Sequence, residues 1–293
     1  MLTLPTAPEA EQILRPPGEL EAEIRAFLHD QLGRVLPGDD RRGLGGYYDW
    51  VVLGGRSLEA LRVLLRCRDG SDLRVLDIGS GLGTTVLLAN LCGVSAIGVE
   101  PGEEEVALAR RRAEDLGVSS AAFRRGVGEH LPVDDASVSA ALLHDVLEHV
   151  GDWRAVLTEA HRVIAPGGVL CVKGPSYSVR FFEPHYKVPW LPLLPKPAAR
   201  TYLRALGRDP GYLEHVGYRR RGAVLAQLRD LGFELSFPRL EKLRNPASIN
   251  RAWVRGSLER LRNSEGTVAA FIERLAESPL QSTIDVVARR TDR

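Results

Sequence analysis

The sequence predicts an α/β fold built around a mostly parallel sheet. Three observations carry this. Short apolar, strand-like runs alternate with amphipathic helical stretches from residue 73 onward. The first of these runs closes on a glycine-rich turn that opens a helix. The chain has 293 residues, enough for one large α/β domain with additions.

The elements follow in order. Residues 1–17 carry four prolines and are expected to be irregular. From 18 to 36, Leu20, Ile24, Leu28 and Leu32 recur every four residues, and Ala26 and Phe27 widen the stripe into a helical face. Pro37-Gly38-Asp39 should end this helix, with a glycine-rich turn from Gly43 to Gly46 after it. Ser57 is the expected cap of a second helix reaching Leu65. Strands are then expected at 73–78, 96–99, 121–125, 138–143 and 168–173. Between them lie helices at 84–91, 103–116 and 153–163, the second with Glu and Arg on its outer face. Alternation of this kind means βαβ units with right-handed crossovers. Residues 175–220, rich in Pro, Tyr and Phe, break the pattern and show no clear strand. A helix at 221–231 and a strand at 233–240 resume it. Residues 247–277 read as helical, and 282–288 supply a seventh strand. The organisation is therefore an N-terminal helical cap (1–70), a core (71–174), an insertion (175–220), and a core completion (221–293) that carries the helical insertion 247–277.

Composition narrows the function classes. A formal net charge of +1 gives no overall field toward nucleic acid or an anionic membrane, so neither is an expected partner. The Arg219-Arg220-Arg221 run reads as a solvated face. The three cysteines, Cys67, Cys92 and Cys171, are odd in number and widely spaced, which fits a reducing compartment rather than a disulfide framework. The early residues show no basic segment followed by an apolar run, and no stretch of about 18 apolar residues exists. A cytoplasmic location is expected.

Four motifs carry chemistry. The first is Val75-Leu76-Asp77-Ile78-Gly79-Ser80-Gly81-Leu82-Gly83, where glycines let a ligand approach the backbone at a helix N-terminus. It is not the dinucleotide fingerprint Gly-x-Gly-x-x-Gly. Counted from Gly79 the sixth residue is Thr84, and counted from Gly81 it is Val86. The second is Glu100-Pro101, about 20 residues downstream, where a carboxylate can accept hydrogen bonds from both hydroxyls of a ribose. The third is Gly126-Val127-Gly128-Glu129-His130-Leu131-Pro132. The fourth is Leu143-His144-Asp145-Val146-Leu147-Glu148-His149-Val150, with the turn Pro166-Gly167-Gly168 beyond it.

In this order, across residues 73–174, the four motifs resemble those of the class I (Rossmann-like) S-adenosylmethionine-dependent methyltransferases. The resemblance implies a seven-stranded, mostly parallel Rossmann-like sheet with helices on both faces and only the last strand antiparallel. It implies S-adenosylmethionine as cofactor and S-adenosylhomocysteine as product. Cofactor contacts carry over to Asp77, Gly79, Gly81, Gly83, Glu100, Pro101, Gly128 and Glu129, with His144 at the methionine end. Val127 stands where the family often has an acidic residue that meets the adenine amino group.

Methyl transfer to oxygen often needs a base, and His149 and His185 are the best-placed histidines for that role. His215 is an outside candidate, whereas His29, His130 and His161 read as structural. Asp145, Glu148 and His149 have i, i+3, i+4 spacing, so a helix there would gather them on one face for a divalent ion. That metal is possible but not favoured, because relatives with the same short motif bind none. The insertion begins at the sheet edge where ligands bind and is expected to act as a lid over a small-molecule acceptor. The leading expectation is O-methylation of a specialised metabolite or sugar. A different reaction on the same cofactor, or a non-catalytic partner subunit, stays open.

Overall fold

The computed structural model describes residues 4–33, 41–67, 73–179, 182–183, 185–238, 278 and 281–291. Three helices come first: α1 (Ala7–Leu14), α2 (Gly18–Gly33) and α3 (Arg41–Val52). Then α4 (Gly55–Cys67) leads into β1 (Arg74–Ile78), α5 (Thr84–Leu91), β2 (Ser95–Glu100), α6 (Glu103–Asp115) and β3 (Phe123–Arg125). After these come β4 (Val138–His144), α7 (Trp153–Val163) and β5 (Ile164–Pro175). The insertion contains the short pair β6 (Phe182–Glu183) and β7 (Val188–Pro189), then α8 (Lys196–Ala205). The chain finishes through α9 (Arg221–Asp230), β8 (Phe233–Ser236) and β9 (Thr283–Arg290).

Seven of these strands form one sheet in the order β3-β2-β1-β4-β5-β9-β8. β1 to β5 pair in parallel, and β9 runs antiparallel to both β5 and β8. This is the seven-stranded, mostly parallel sheet that the motifs imply. Its central strands are apolar on both sides because both faces are covered. Leu76, Ile78, Leu143 and Val172 pack with Val156, Leu157 and Ala160 of α7 and Val224 and Leu228 of α9. Val75, Ala140 and Leu142 face the other way, against Leu58, Leu61 and Leu64 of α4, Val86 and Leu87 of α5, and Ala109 of α6. The strand order reverses between β1 and β4, so a crevice opens at the carboxyl ends of these two strands.

Several local expectations are corrected. Residues 7–14 form a helix despite Pro8 and the prolines that flank them. Glu9 Oε2 accepts from the Thr6 backbone N–H at 2.7 Å and from the Thr6 hydroxyl at 2.8 Å, and Pro8 sits in the first turn where its missing N–H costs nothing. Gly45 and Gly46 lie inside α3 rather than in a turn. Helix propensity is overridden there by packing: Tyr48 and Val52 are fully buried with Ile24 and Leu28 of α2. α4 starts at Gly55, and Ser57 is not its cap; the Ser57 hydroxyl pairs with that of Thr85 at 2.9 Å. Residues 166–168 lie within β5, where positive φ at Gly167 accompanies a shift of register against β4, rather than forming a turn before it. Arg112 is not on the outer face of α6 but 1% exposed on the inner one. β8 ends at Ser236, and the 247–277 helix lies outside the described residues.

Candidate functional site

The crevice begins with the glycine turn. Gly79, Gly81 and Gly83 all have positive φ, at 72°, 51° and 76°. Their surroundings differ. A Cβ on Gly79 would meet Val146 at 2.6 Å, one on Gly83 would meet the Phe123 ring at 2.4 Å, and one on Gly81 would meet nothing within 4 Å. Gly83 is thus a packing glycine where α5 leaves the turn, whereas Gly81 presents bare backbone. Gly83→Ala combines a left-handed backbone with overpacking and is expected to cost about 2–4 kcal/mol in a urea titration. A change below 1 kcal/mol would mean that Phe123 gives way freely.

Glu100 closes over this turn from the end of β2. Its Oε2 accepts from Gly81 N at 2.9 Å and its Oε1 from Gly102 N at 3.1 Å. Burial raises its pKa, and the two backbone hydrogen bonds oppose that shift. Beneath the turn, Arg112 donates to Leu82 O at 2.7 Å, Thr84 Oγ1 at 2.8 Å, Val52 O at 2.9 Å and Leu14 O at 3.4 Å. The N-terminal helices are therefore tied directly to the glycine turn.

One cavity of about 980 Å³ joins these parts to the rest of the sheet edge. Asp77, Gly79, Gly81, Glu100, Pro101, Gly128, Glu129 and His144 all line it, as do His149 and His185. Gly83 does not, for the packing reason above. Val127 borders the cavity as an exposed side chain. Phe27, Tyr47 and Trp50 of α2 and α3 cover one side, and His185 and Tyr212 of the insertion cover another.

Asp145, Glu148 and His149 also reach the cavity, but not from a helix. Asp145 turns the chain with φ 53° and donates its N–H to Lys173 O at 2.7 Å, and His149 N closes a tight turn on Val146 O at 2.8 Å. The helix expected of the i, i+3, i+4 spacing is absent. Among the described residues no group of three or more His, Cys, Asp or Glu side chains could hold a metal ion. The insertion grips this turn. Arg219 donates to Leu147 O at 2.9 Å and Val150 O at 2.5 Å, and Gly217 N to Glu148 O at 2.6 Å. Arg221 is 1% exposed, with its guanidinium 5.0 Å from the Phe237 ring centroid. The arginine run is therefore an anchor rather than a solvated face, and only Arg220 of the three is exposed.

The two candidate bases meet. The His149 and His185 ring centroids are 5.3 Å apart, and Tyr212 lies 5.5 Å from His185 and 6.3 Å from His149. His149 is an exposed residue where it opens onto the cavity, while protein packs against the rest of its ring. Desolvation by that packing, with His185 second, lowers its pKa to about 4, against a raising hydrogen bond with the His215 backbone. Glu183 and Tyr212 were missed in the sequence. Glu183 stands two residues from His185 inside the aromatic stretch, and that proximity was the one signal available. His161 packs edge-on against Phe233 at 5.2 Å, away from the cavity.

Residues 76–172 match the family model described as a methyltransferase domain. Residues 76–172 of this chain therefore carry a methyltransferase domain. Over 191 residues the chain is 38% identical to an uncharacterized 37.1 kDa protein in transposon Tn4556 of Streptomyces fradiae, covering 58% of this chain and 54% of that one. Over 125 residues it is 30% identical to a ubiquinone biosynthesis O-methyltransferase of Azorhizobium caulinodans, covering 41% and 49%. A solved S-adenosylmethionine-dependent methyltransferase from Mesorhizobium loti aligns with 80% of this chain and 99% of its own, at 22% identity and a TM-score of 0.49. The chain spans about half the length of the curated relatives it matches. Among the described residues no helix is long and apolar enough to cross a membrane.

Proposed function

We propose that this protein transfers the methyl group of S-adenosylmethionine to a hydroxyl of a small molecule, such as a specialised metabolite or sugar. The observation that carries this is a single cavity with the glycine turn and Glu100 at one end and paired histidines at the other. The residues present fit the cofactor. A Cβ at Gly81 would meet nothing within 4 Å, and each Glu100 oxygen accepts one backbone hydrogen bond, which leaves lone pairs for ribose hydroxyls. Asp77, Gly79, Glu100, Pro101, Gly128, Glu129 and His144 would hold it. When bound, S-adenosylmethionine supplies a methyl activated by its sulfonium and leaves as the neutral thioether S-adenosylhomocysteine.

The cavity's charge supports the same reading. Asp77, Glu100, Glu105, Glu129, Asp145 and Glu148 line it, against the one lysine, Lys173. Such a field favours a sulfonium cation and disfavours a phosphorylated acceptor or nucleic acid. Tyr47, Trp50, Tyr212, His149 and His185 would surround the acceptor, with residues 175–220 as its lid. Their work is to exclude water, align the acceptor oxygen and take its proton. A cytoplasmic setting fits the three free cysteines.

Calorimetric titration with S-adenosylhomocysteine tests the cofactor site. Glu100→Ala is expected to cost about 1.5–3 kcal/mol, roughly 10- to 150-fold in affinity. Unchanged affinity in a folded variant would place the cofactor elsewhere. Release of S-adenosylhomocysteine with alcohols and phenols, but not with amines, tests the acceptor class.

A further inference from the structure

We infer that Glu183 is a positioning residue that makes His185, rather than His149, the group that takes the acceptor's proton. The inference rests on the methyl-transfer reading above and adds to it how the proton is taken.

Glu183 is fully buried, at 0% exposed, and a buried carboxylate persists only when its oxygens are engaged. Both are. Oε2 accepts from Tyr186 N at 2.6 Å, and Oε1 lies 2.7 Å from His185 Nδ1, with the Tyr177 hydroxyl at 3.5 Å. With Tyr186 N bound at Oε2, Oε1 is placed to accept from the ring, so Nδ1 carries the ring proton and Nε2 keeps the lone pair. The pairing of β6 with β7 fixes the carboxylate, because Glu183 stands in register with Val188, which is itself buried. The imidazole remains 22% exposed and lines the cavity. An oriented, carboxylate-backed imidazole at a cavity wall is the arrangement a general base requires.

His149 lacks such support. Its ring is held by the His215 backbone, and its surroundings favour the neutral, weakly basic form. The titratable groups around His185 are Glu183 from β6, His149 and Glu148 from the turn after β4, and Tyr212 from the insertion. Of these, the structure shows only Glu183 within hydrogen-bond distance of the His185 ring. In the reaction the acceptor oxygen gains the methyl carbon, its proton passes to Nε2 of His185, and that proton is later released to water.

The test is a histidine nitrogen NMR spectrum of the full chain, with and without S-adenosylhomocysteine, for wild type and Glu183→Gln. In wild type, His185 is expected as the Nδ1–H tautomer. In the Gln variant the amide oxygen must still accept from Tyr186 N, which turns the NH₂ toward Nδ1 and drives the proton to Nε2. The variant should then lose about 10²–10⁴-fold in turnover at unchanged cofactor affinity. Glu183→Asp should restore part of the tautomer and part of the rate. A wild-type His185 found as the Nε2–H tautomer overturns the inference without any variant. So does a Gln variant with inverted tautomer and normal turnover, and either result leaves the methyl-transfer reading standing. Wild type that binds no S-adenosylhomocysteine, or methylates no hydroxyl, overturns that reading itself and this inference with it.

Discussion

Arg112→Met is expected to destabilise the protein by about 3–5 kcal/mol, measured as a fall in the urea midpoint at unchanged m-value. The arginine is 1% exposed, and the acceptors it meets are backbone carbonyls and one hydroxyl rather than a carboxylate. Burial lowers its pKa to about 10, so it remains charged at neutral pH. Methionine fills most of the volume but donates nothing. The carbonyls of Leu82 and Val52 and the hydroxyl of Thr84 would each lose a short bond, at about 1–3 kcal/mol for each group left buried and unpaired. Thr84 retains its own bond to Val51 O at 2.6 Å, which moderates the sum. Because these partners join α1 and α3 to the glycine turn, the variant should also bind S-adenosylhomocysteine more weakly. A stability change under 1 kcal/mol would mean that water or a shifted helix satisfies the same carbonyls.

The core was legible because its determinants are local. Residues 138–143 are an unbroken run of small and apolar residues with one Ser, as a strand covered on both faces must be, and the glycines after β1 mark one turn and no other. The reversal point of the sheet then follows from the order of the motifs. What failed to read was decided at a distance. α3 carries glycines that argue against a helix, and only the burial of Tyr48 and Val52 against α2 makes one. Arg112 looks like any surface arginine on a charged helix until Leu14, Val52 and Leu82 converge on it. The spacing of Asp145, Glu148 and His149 suggested a helical face, but the positive φ of Asp145 breaks that register. Both histidines were visible; the buried carboxylate beside one of them depended on a two-residue strand pair that no periodicity announces.

His185→Ala should lower turnover by about 10²–10⁴-fold, whereas His149→Ala should have the smaller effect, with cofactor affinity nearly constant in both. The asymmetry follows from the carboxylate at 2.7 Å from one ring and the lowered pKa of the other. The two also separate on a pH axis. With a folded pKa near 4 against about 6.5 unfolded, His149 binds fewer protons in the native state than in the unfolded state between these values. Native stability therefore rises with pH across that window and is lost as pH falls from about 6.5 toward 4. Replacing His149 with Gln should flatten this acid-side loss while leaving stability above pH 7 little changed. Replacing His185 should cut the rate at every pH. Because no group of three or more His, Cys, Asp or Glu side chains among the described residues could hold a metal ion, exhaustive chelation should leave wild-type turnover intact. Loss of activity with chelator, restored by Mg²⁺, would instead make His149 part of a metal site and demote His185 to its neighbour. Near-wild-type turnover in both alanine variants would remove the base altogether, and catalysis would then rest on alignment of the acceptor within the cavity.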